Sequence, residues 1–190
     1  MKVCLSPCLL LLGFVLYFPT HAQSLFYFSN WYVVDAPVYD AEGSPLAGPD
    51  FVAELYGGAL PDSLSPAVEF GTLDRVMEPF LTGNSAGYFG NRGVAISGVP
   101  YYESAWLQVR AWDTRLGATY EEAVALEMGG YGASLVFSAQ GANPFADPPE
   151  LPAPLIGLQS FSLLPIVPEP SSFVLAGLGA AALLIFSRRK

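Results

Sequence analysis

The sequence predicts an all-β protein: an antiparallel β-sandwich or jelly-roll-like domain with one short helix, set between an N-terminal signal peptide and a C-terminal transmembrane helix. Three observations carry that expectation. Apolar–polar alternation with a period of two recurs through the middle of the chain. Turn signals bearing glycine and proline separate the alternating runs. The long uncharged apolar runs sit at the two ends.

Residues 1–22 read as a secretory signal peptide. Lys2 supplies a positive start, and Cys8 to Phe18 (CLLLLGFVLYF) an apolar run too short to cross a bilayer. Pro19 breaks the run, and Thr20-His21-Ala22 places small residues before a cleavage between Ala22 and Gln23. The rival reading is an uncleaved anchor, which needs about 20 apolar residues. Cys8 precedes the leucine run, so it does not mark a lipoprotein signal.

The β-domain is placed at 23–165. Aromatic stretches from Leu25 to Phe28 and from Trp31 to Tyr39 supply its first strands. Phe51, Ala53 and Leu55 then alternate with Val52, Glu54 and Tyr56, and Val94 and Ile96 with Ala95 and Ser97. The clearest run sets Ala105, Leu107, Val109 and Ala111 against Trp106, Gln108, Arg110 and Trp112. Leu135, Phe137 and Ala139 alternate with Val136 and Ser138, and Gln159, Phe161 and Leu163 repeat the pattern. Turns fall at Glu42-Gly43-Ser44-Pro45, Gly57-Gly58, Gly83 to Gly87 and Gly98-Val99-Pro100. Several short strands so spaced suit a sandwich.

One helix interrupts them. Thr119 with Glu122 three residues on forms a capping box, predicting a helix from Tyr120 to Met128 that Gly129-Gly130 ends. Residues 140–157 carry Pro144, Pro148, Pro149, Pro152 and Pro154. They read either as an extended strap along the domain or as a disordered spacer.

Composition narrows the chemistry. The 190 residues are 52% apolar, 14% aromatic and 13% charged, with a net charge of −9. So aromatic a chain is not a disordered acidic tail, and so acidic a chain is not a nucleic-acid binder. Between 23 and 168 there is no cysteine, histidine or lysine. Thiol nucleophiles, imidazole bases, Cys/His zinc sites and Schiff-base lysines are therefore excluded from that stretch. It holds Arg75, Arg92, Arg110 and Arg115 against sixteen acids, a net charge of −12. Carboxylates and tyrosines remain for acid–base work, but no spacing marks a glycosidase pair. The expectation is a protein that is not an enzyme and uses no cofactor.

Two sets of side chains stand out as candidate sites. The row Trp106, Gln108, Arg110 and Trp112 lies on one strand face. If exposed, it suits stacking on sugar rings; if the strand is buried on both faces or covered by the strap, it is core. Asp35, Asp40, Glu42 and Asp50 supply hard oxygen atoms near turns, as Ca²⁺ requires, but Asp40 to Ser44 is not an EF-hand loop, and solvated loop acids are the simpler reading. Arg110 and Asp113 are placed to pair across a turn. Flat Thr-x-Thr arrays of an ice-binding surface are absent.

The C-terminal segment 166–190 is a second address. Val167, Pro168, Glu169, Pro170 and Ser171 form an extended stretch, since prolines flanking one residue keep it out of a helix. Residues 171–187 are uncharged and of the minimum length for a transmembrane helix, and Arg188, Arg189 and Lys190 follow as a cytoplasmic basic tail. This order resembles the PEP-CTERM sorting signal of Gram-negative bacteria. The resemblance implies export by the Sec route past signal peptidase, an inner-membrane intermediate, and transient recognition by an exosortase, a membrane cysteine protease. It further implies delivery to the cell surface or extracellular matrix, often beside exopolysaccharide. A plain single-helix anchor with a chance Pro-Glu-Pro is the bland alternative.

A softer resemblance lies inside the domain. Ala53 to Gly58 (AELYGG), Gly87-Tyr88-Phe89, Leu107 to Asp113 (LQVRAWD) and Gly117 to Glu121 (GATYE) are similar to blocks in small PEP-CTERM proteins of Verrucomicrobia-type bacteria. It implies a shared fold and no particular site. The functional expectation is an exported, exosortase-processed surface or matrix protein with a non-enzymatic β-sandwich. The alternatives are a membrane-anchored, periplasm-facing glycan-binding module and a carboxylate-based glycan hydrolase.

Overall fold

The computed structural model describes residues 23–167. The expected signal peptide at 1–22, the sorting residues from Pro168 to Ser171, the expected transmembrane helix at 171–187 and the Arg188–Lys190 tail lie outside the described residues. Among the described residues, no helix is long and apolar enough to cross a membrane.

The described strands and helix follow in the order β1 (Gln23–Phe28), β2 (Val38–Tyr39), β3 (Gly48–Gly58), β4 (Ser65–Pro66), β5 (Val68–Glu69), β6 (Met77–Phe80), β7 (Arg92–Ser97), β8 (Ser104–Asp113), α1 (Tyr120–Ala125), β9 (Tyr131–Ala133), β10 (Phe137–Gln140), β11 (Ala153–Pro154) and β12 (Phe161–Ser162). Strands dominate, the sheets are antiparallel and mixed, and none closes into a barrel.

Two long strands organise the larger sheet. β3 and β8 pair antiparallel from Phe51 opposite Asp113 to Gly58 opposite Trp106. β10 and β9 share the far side of β8, and β4 and β6 the far side of β3. The second sheet has the order β11-β1-β7-β5, and β2 and β12 form a third, two-stranded sheet.

Alternation selects the core. Ala53 and Leu55 from β3 and Ala105, Leu107, Val109 and Ala111 from β8 share one buried cluster with Phe26 and Phe28 of β1 and Val94 and Ile96 of β7. The two larger sheets approach closely at Gly57, where a Cβ would lie 2.6 Å from Ile96 Cδ1 and 2.9 Å from Leu107 Cδ2. Phe89 joins the cluster, with its ring 4.7 Å from Phe28 and 5.7 Å from Phe80. Each large side chain removed from water contributes about 1.5–3 kcal/mol.

Several expectations are corrected. The pairing is not purely antiparallel: β11 runs parallel to β1 and β12 parallel to β2. Both pairs join distant parts of the chain, as parallel pairing requires, and Pro154 takes the edge position a strand proline demands. In the stretch from Trp31 to Tyr39 only β2 is strand. β10 begins at Phe137 and leaves Leu135 73% exposed. Helix α1 stops at Ala125, short of Met128. Thr119 Oγ1 accepts from the Glu122 N–H at 3.2 Å, as the capping box predicts. Glu127, Gly129 and Gly130 then take positive φ, which no helix tolerates.

The Pro-rich segment runs beside β1: Leu25 bridges Ala142, and β11 pairs with Phe26 and Tyr27. The chain then closes on the opposite end. Leu163 N–H donates to Tyr39 O at 2.9 Å, Leu164 N–H to Tyr131 O at 2.8 Å and Val167 N–H to Met128 O at 2.8 Å.

Candidate functional site

The outer face of β3 and β8 carries the candidate row. Their register sets Val52 against Trp112, Glu54 against Arg110, Tyr56 against Gln108 and Gly58 against Trp106. Helix α1 lies over one end of this face, because the chain after β8 turns back through Gly117 and the Thr119 cap. Trp112 is fully buried there. Its Nε1–H donates to Gly117 O at 3.1 Å, and the Tyr120 ring meets it edge-on at 6.2 Å. A continuous exposed row from Trp106 to Trp112 is therefore not formed; Trp106, Gln108 and Arg110 are half-buried, and Trp106 has no aromatic neighbour in the row. Alternation fixed which face these residues share, but not what covers it.

The polar members of the row are held in one network. Glu54 is fully buried, and Arg75 clasps it with two hydrogen bonds of 2.7 Å, from Nε to Oε1 and from Nη2 to Oε2. The same Arg75 Nη2 donates to the Tyr56 hydroxyl at 3.1 Å, which donates to Glu121 Oε1 at 2.7 Å. Arg110 donates from Nη1 to Glu121 Oε1 at 3.2 Å and from Nε to Gln108 Oε1 at 2.9 Å. Its guanidinium lies 3.8 Å from the Tyr56 ring centroid, within cation–π range. Gln108 Nε2 donates to Ser134 O at 3.0 Å.

Two guanidiniums thus face two carboxylates. Burial, and then the Glu121 hydrogen bond with the nearby carboxylate charges, push the Tyr56 hydroxyl far above its usual pKa, against the pull of Arg75. Burial works to raise the Glu121 carboxyl, but the Tyr56 hydroxyl, its own backbone N–H, Arg75 and Arg110 together hold it below the usual range. A glycosidase acid needs the opposite shift. The arrangement favours the ionised form of Glu121.

Sequence reasoning passed over Glu54, Tyr56, Arg75 and Glu121. A glutamate alternating between Ala53 and Leu55 in a strand buried on both faces was the available signal, together with the scarcity of arginine. All four described arginines are committed to carboxylates: Arg75 to Glu54, Arg92 to Glu69 and Glu78, Arg110 to Glu121, and Arg115 to Asp113. The expected pairing of Arg110 with Asp113 is accordingly corrected. Asp113 instead takes Arg115, with Nε 2.8 Å from Oδ1, because Arg115 follows it by two residues in a tight turn.

The four candidate Ca²⁺ acids are not gathered. Asp35 accepts from the Tyr88 hydroxyl at 2.6 Å, while Asp40 Oδ1 accepts from the Glu42 and Ser44 N–H groups at 3.0 and 2.7 Å, closing its own turn. Asp50 sits at the exposed start of β3. Among the described residues no three acidic, histidine or cysteine side chains are grouped to hold a metal.

Acid should weaken this fold in a defined window. Arg115 hydrogen bonding holds the Asp113 carboxyl below its usual value despite burial, and Glu121 is shifted the same way. Depressed folded-state values mean that both groups stabilise the fold above their unfolded pKa of about 4. That contribution is lost as pH falls below 4 through the folded values. Urea melts should show a steady midpoint from pH 7 to 5 and a falling one from pH 4 to 2.5. Arg115→Gln should flatten the fall.

Comparison with known proteins identifies the C-terminal segment. Residues 167–190 match the PEP-CTERM protein-sorting motif. The chain carries this sorting signal, which implies export to the cell surface or exterior, with an exosortase as a transient partner. The match does not extend to the internal blocks of the domain. No curated protein and no solved structure matches the chain.

Proposed function

We propose that this is an exported, exosortase-processed cell-surface or extracellular-matrix protein whose folded part is a non-enzymatic β-sandwich associated with exopolysaccharide. The sorting motif carries the reading. Signal peptidase cuts after Ala22, and the chain waits in the inner membrane on its 171–187 helix until the exosortase acts near Pro168. The fold supports this division of labour. Fully buried Ser24, the second residue after the proposed N-terminal cut, already donates from Oγ to Pro100 O at 2.6 Å. At the other end Val167, hydrogen-bonded to Met128, is the first residue of the sorting match. The described contacts of the fold thus run from just after the proposed N-terminal cut to just before the proposed C-terminal one. The ion-paired arginines and locked carboxylates suit a stable scaffold rather than a reaction centre.

Mass spectrometry of the protein recovered from its native host tests the processing. A C-terminus within a few residues of Pro168 is expected. A mature protein that retains Phe173 to Lys190 would refute exosortase cleavage and leave a membrane-anchored, periplasm-facing module.

A further inference from the structure

Between β1 and β2 the chain exposes three consecutive large side chains: Trp31 is 42% exposed, Tyr32 77% and Val33 68%. Loose loops often do this, but here both ends are clamped. Asn30 is fully buried, and its Nδ2 donates to Ala36 O and to Gly87 O, each at 2.9 Å. Its Oδ1 accepts from the Phe89 N–H at 2.9 Å. The Ala36 N–H returns to Asn30 O at 3.2 Å, so residues 31–35 form a closed loop. The Tyr88 hydroxyl ties Asp35 to the neighbouring strand connection.

This rigid loop builds an aromatic shelf. The Tyr32 ring stacks on Trp31 at 4.8 Å with 17° between planes, and Trp31 lies 5.8 Å from Tyr88. Tyr32 takes a φ of +71°, an unfavourable conformation for an aromatic residue. Strain at an exposed residue does nothing for burial, and such outliers concentrate where a side chain must be aimed. Beside the shelf is a hollow of about 160 Å³ whose lining includes Ser29, Leu81, Phe89 and Asn91.

We propose that Trp31, Tyr32 and Tyr88 form a stacking site for a neutral polysaccharide, with Ser29 and Asn91 in the adjoining hollow as hydrogen-bond partners for its hydroxyls. The proposal deepens the exopolysaccharide association above and rests on it. A pyranose with equatorial hydroxyls has an apolar C–H face that fits a flat ring, and its edge needs polar partners; the shelf and hollow supply both. Charge selects the neutral class. The nearest candidates for binding an anion are the arginines, and the four among the described residues are already paired, while Asp35 adds negative charge beside the shelf. The same pairing of every basic group among the described residues disfavours an anionic lipid surface at this loop.

Full-length protein in a detergent without a sugar head group, titrated with cellohexaose, laminarihexaose and xylohexaose, provides the test. At least one should bind saturably by calorimetry and shift the tryptophan emission. Trp31→Ala and Tyr32→Gly should each weaken that binding tenfold or more, about 1.4 kcal/mol, while Trp106→Phe leaves it unchanged. Tyr32→Gly should melt at the same temperature or higher, because glycine accepts the positive φ. A galacturonate hexamer should bind at least tenfold more weakly.

Failure of all three neutral hexasaccharides to bind, or binding indifferent to Trp31→Ala and Tyr32→Gly, overturns the proposal. So does quenching by brominated lipid in nanodiscs that disappears in Trp31→Phe, which would make the loop a membrane contact. The mature C-terminus reports on processing separately, so loss of either reading is recognisable without the other.

Discussion

Arg75→Met is expected to destabilise the protein by about 3–5 kcal/mol, the range for stranding a buried charge. Glu54 has no exposed surface, and Arg75 satisfies both of its oxygens at 2.7 Å. The substitution keeps an unbranched side chain of similar length and removes the guanidinium. Its loss also deprives the Tyr56 hydroxyl of a donor at 3.1 Å and weakens the hold on Glu121. Arg110 stands opposite Glu54 in the register but is occupied by Gln108 and Glu121. The control is the double variant Glu54→Leu with Arg75→Met. Removing both charges avoids the stranded carboxylate, so the double variant should return to within about 1 kcal/mol of the parent. Urea unfolding reads both, with the midpoint moving and the slope constant. A double variant as unstable as the single one would show that Arg75 contributes packing rather than charge compensation.

The same face shows how far the sequence could be read. The alternation of β8 from Ala105 to Trp112 is complete, and the strand lies where that alternation puts it. Length made it legible: period-two signals accumulate over ten residues. Strands β4 and β5 have two residues each, too few for any period, and they exist because longer neighbours offer them hydrogen bonds. The burial of Trp112 depended on α1 folding over it, a tertiary event that no local pattern encodes. Trp31 to Val34 misled for a related reason. Its β-forming residues look like a strand, yet Ser29-Asn30 before it and Asp35-Ala36-Pro37 after it are turn residues. The buried Asn30 side chain takes the backbone partners that a ladder would have used. The sorting segment was the most legible part, because a processing enzyme reads it as linear sequence rather than as a fold.

Gly129→Ala should have the second large effect, and it should act on the join between fold and sorting segment. Gly129 has a φ of +82°, and a Cβ there would stand 1.9 Å from Pro165 O and 2.6 Å from its carbonyl carbon. Both are backbone atoms, so no side-chain rotation relieves the clash. The left-handed conformation costs an alanine about 1–2 kcal/mol by itself, and displacing the Leu164–Val167 segment brings the total to about 3 kcal/mol. Gly43 separates the two contributions. It has a similar φ of +86° with nothing within 4 Å of its Cβ position, so Gly43→Ala should show the conformational cost alone. Hydrogen exchange should locate the damage. In Gly129→Ala the amides of Gly130, Leu164 and Val167, which bond across this seam, should lose protection. Those of β3 and β8 should keep theirs. Uniform loss throughout the domain would mean that the seam is part of the global folding unit. Loss confined to it would mean that the last residues before the sorting signal are a separately docked strap, held by the absence of one side chain.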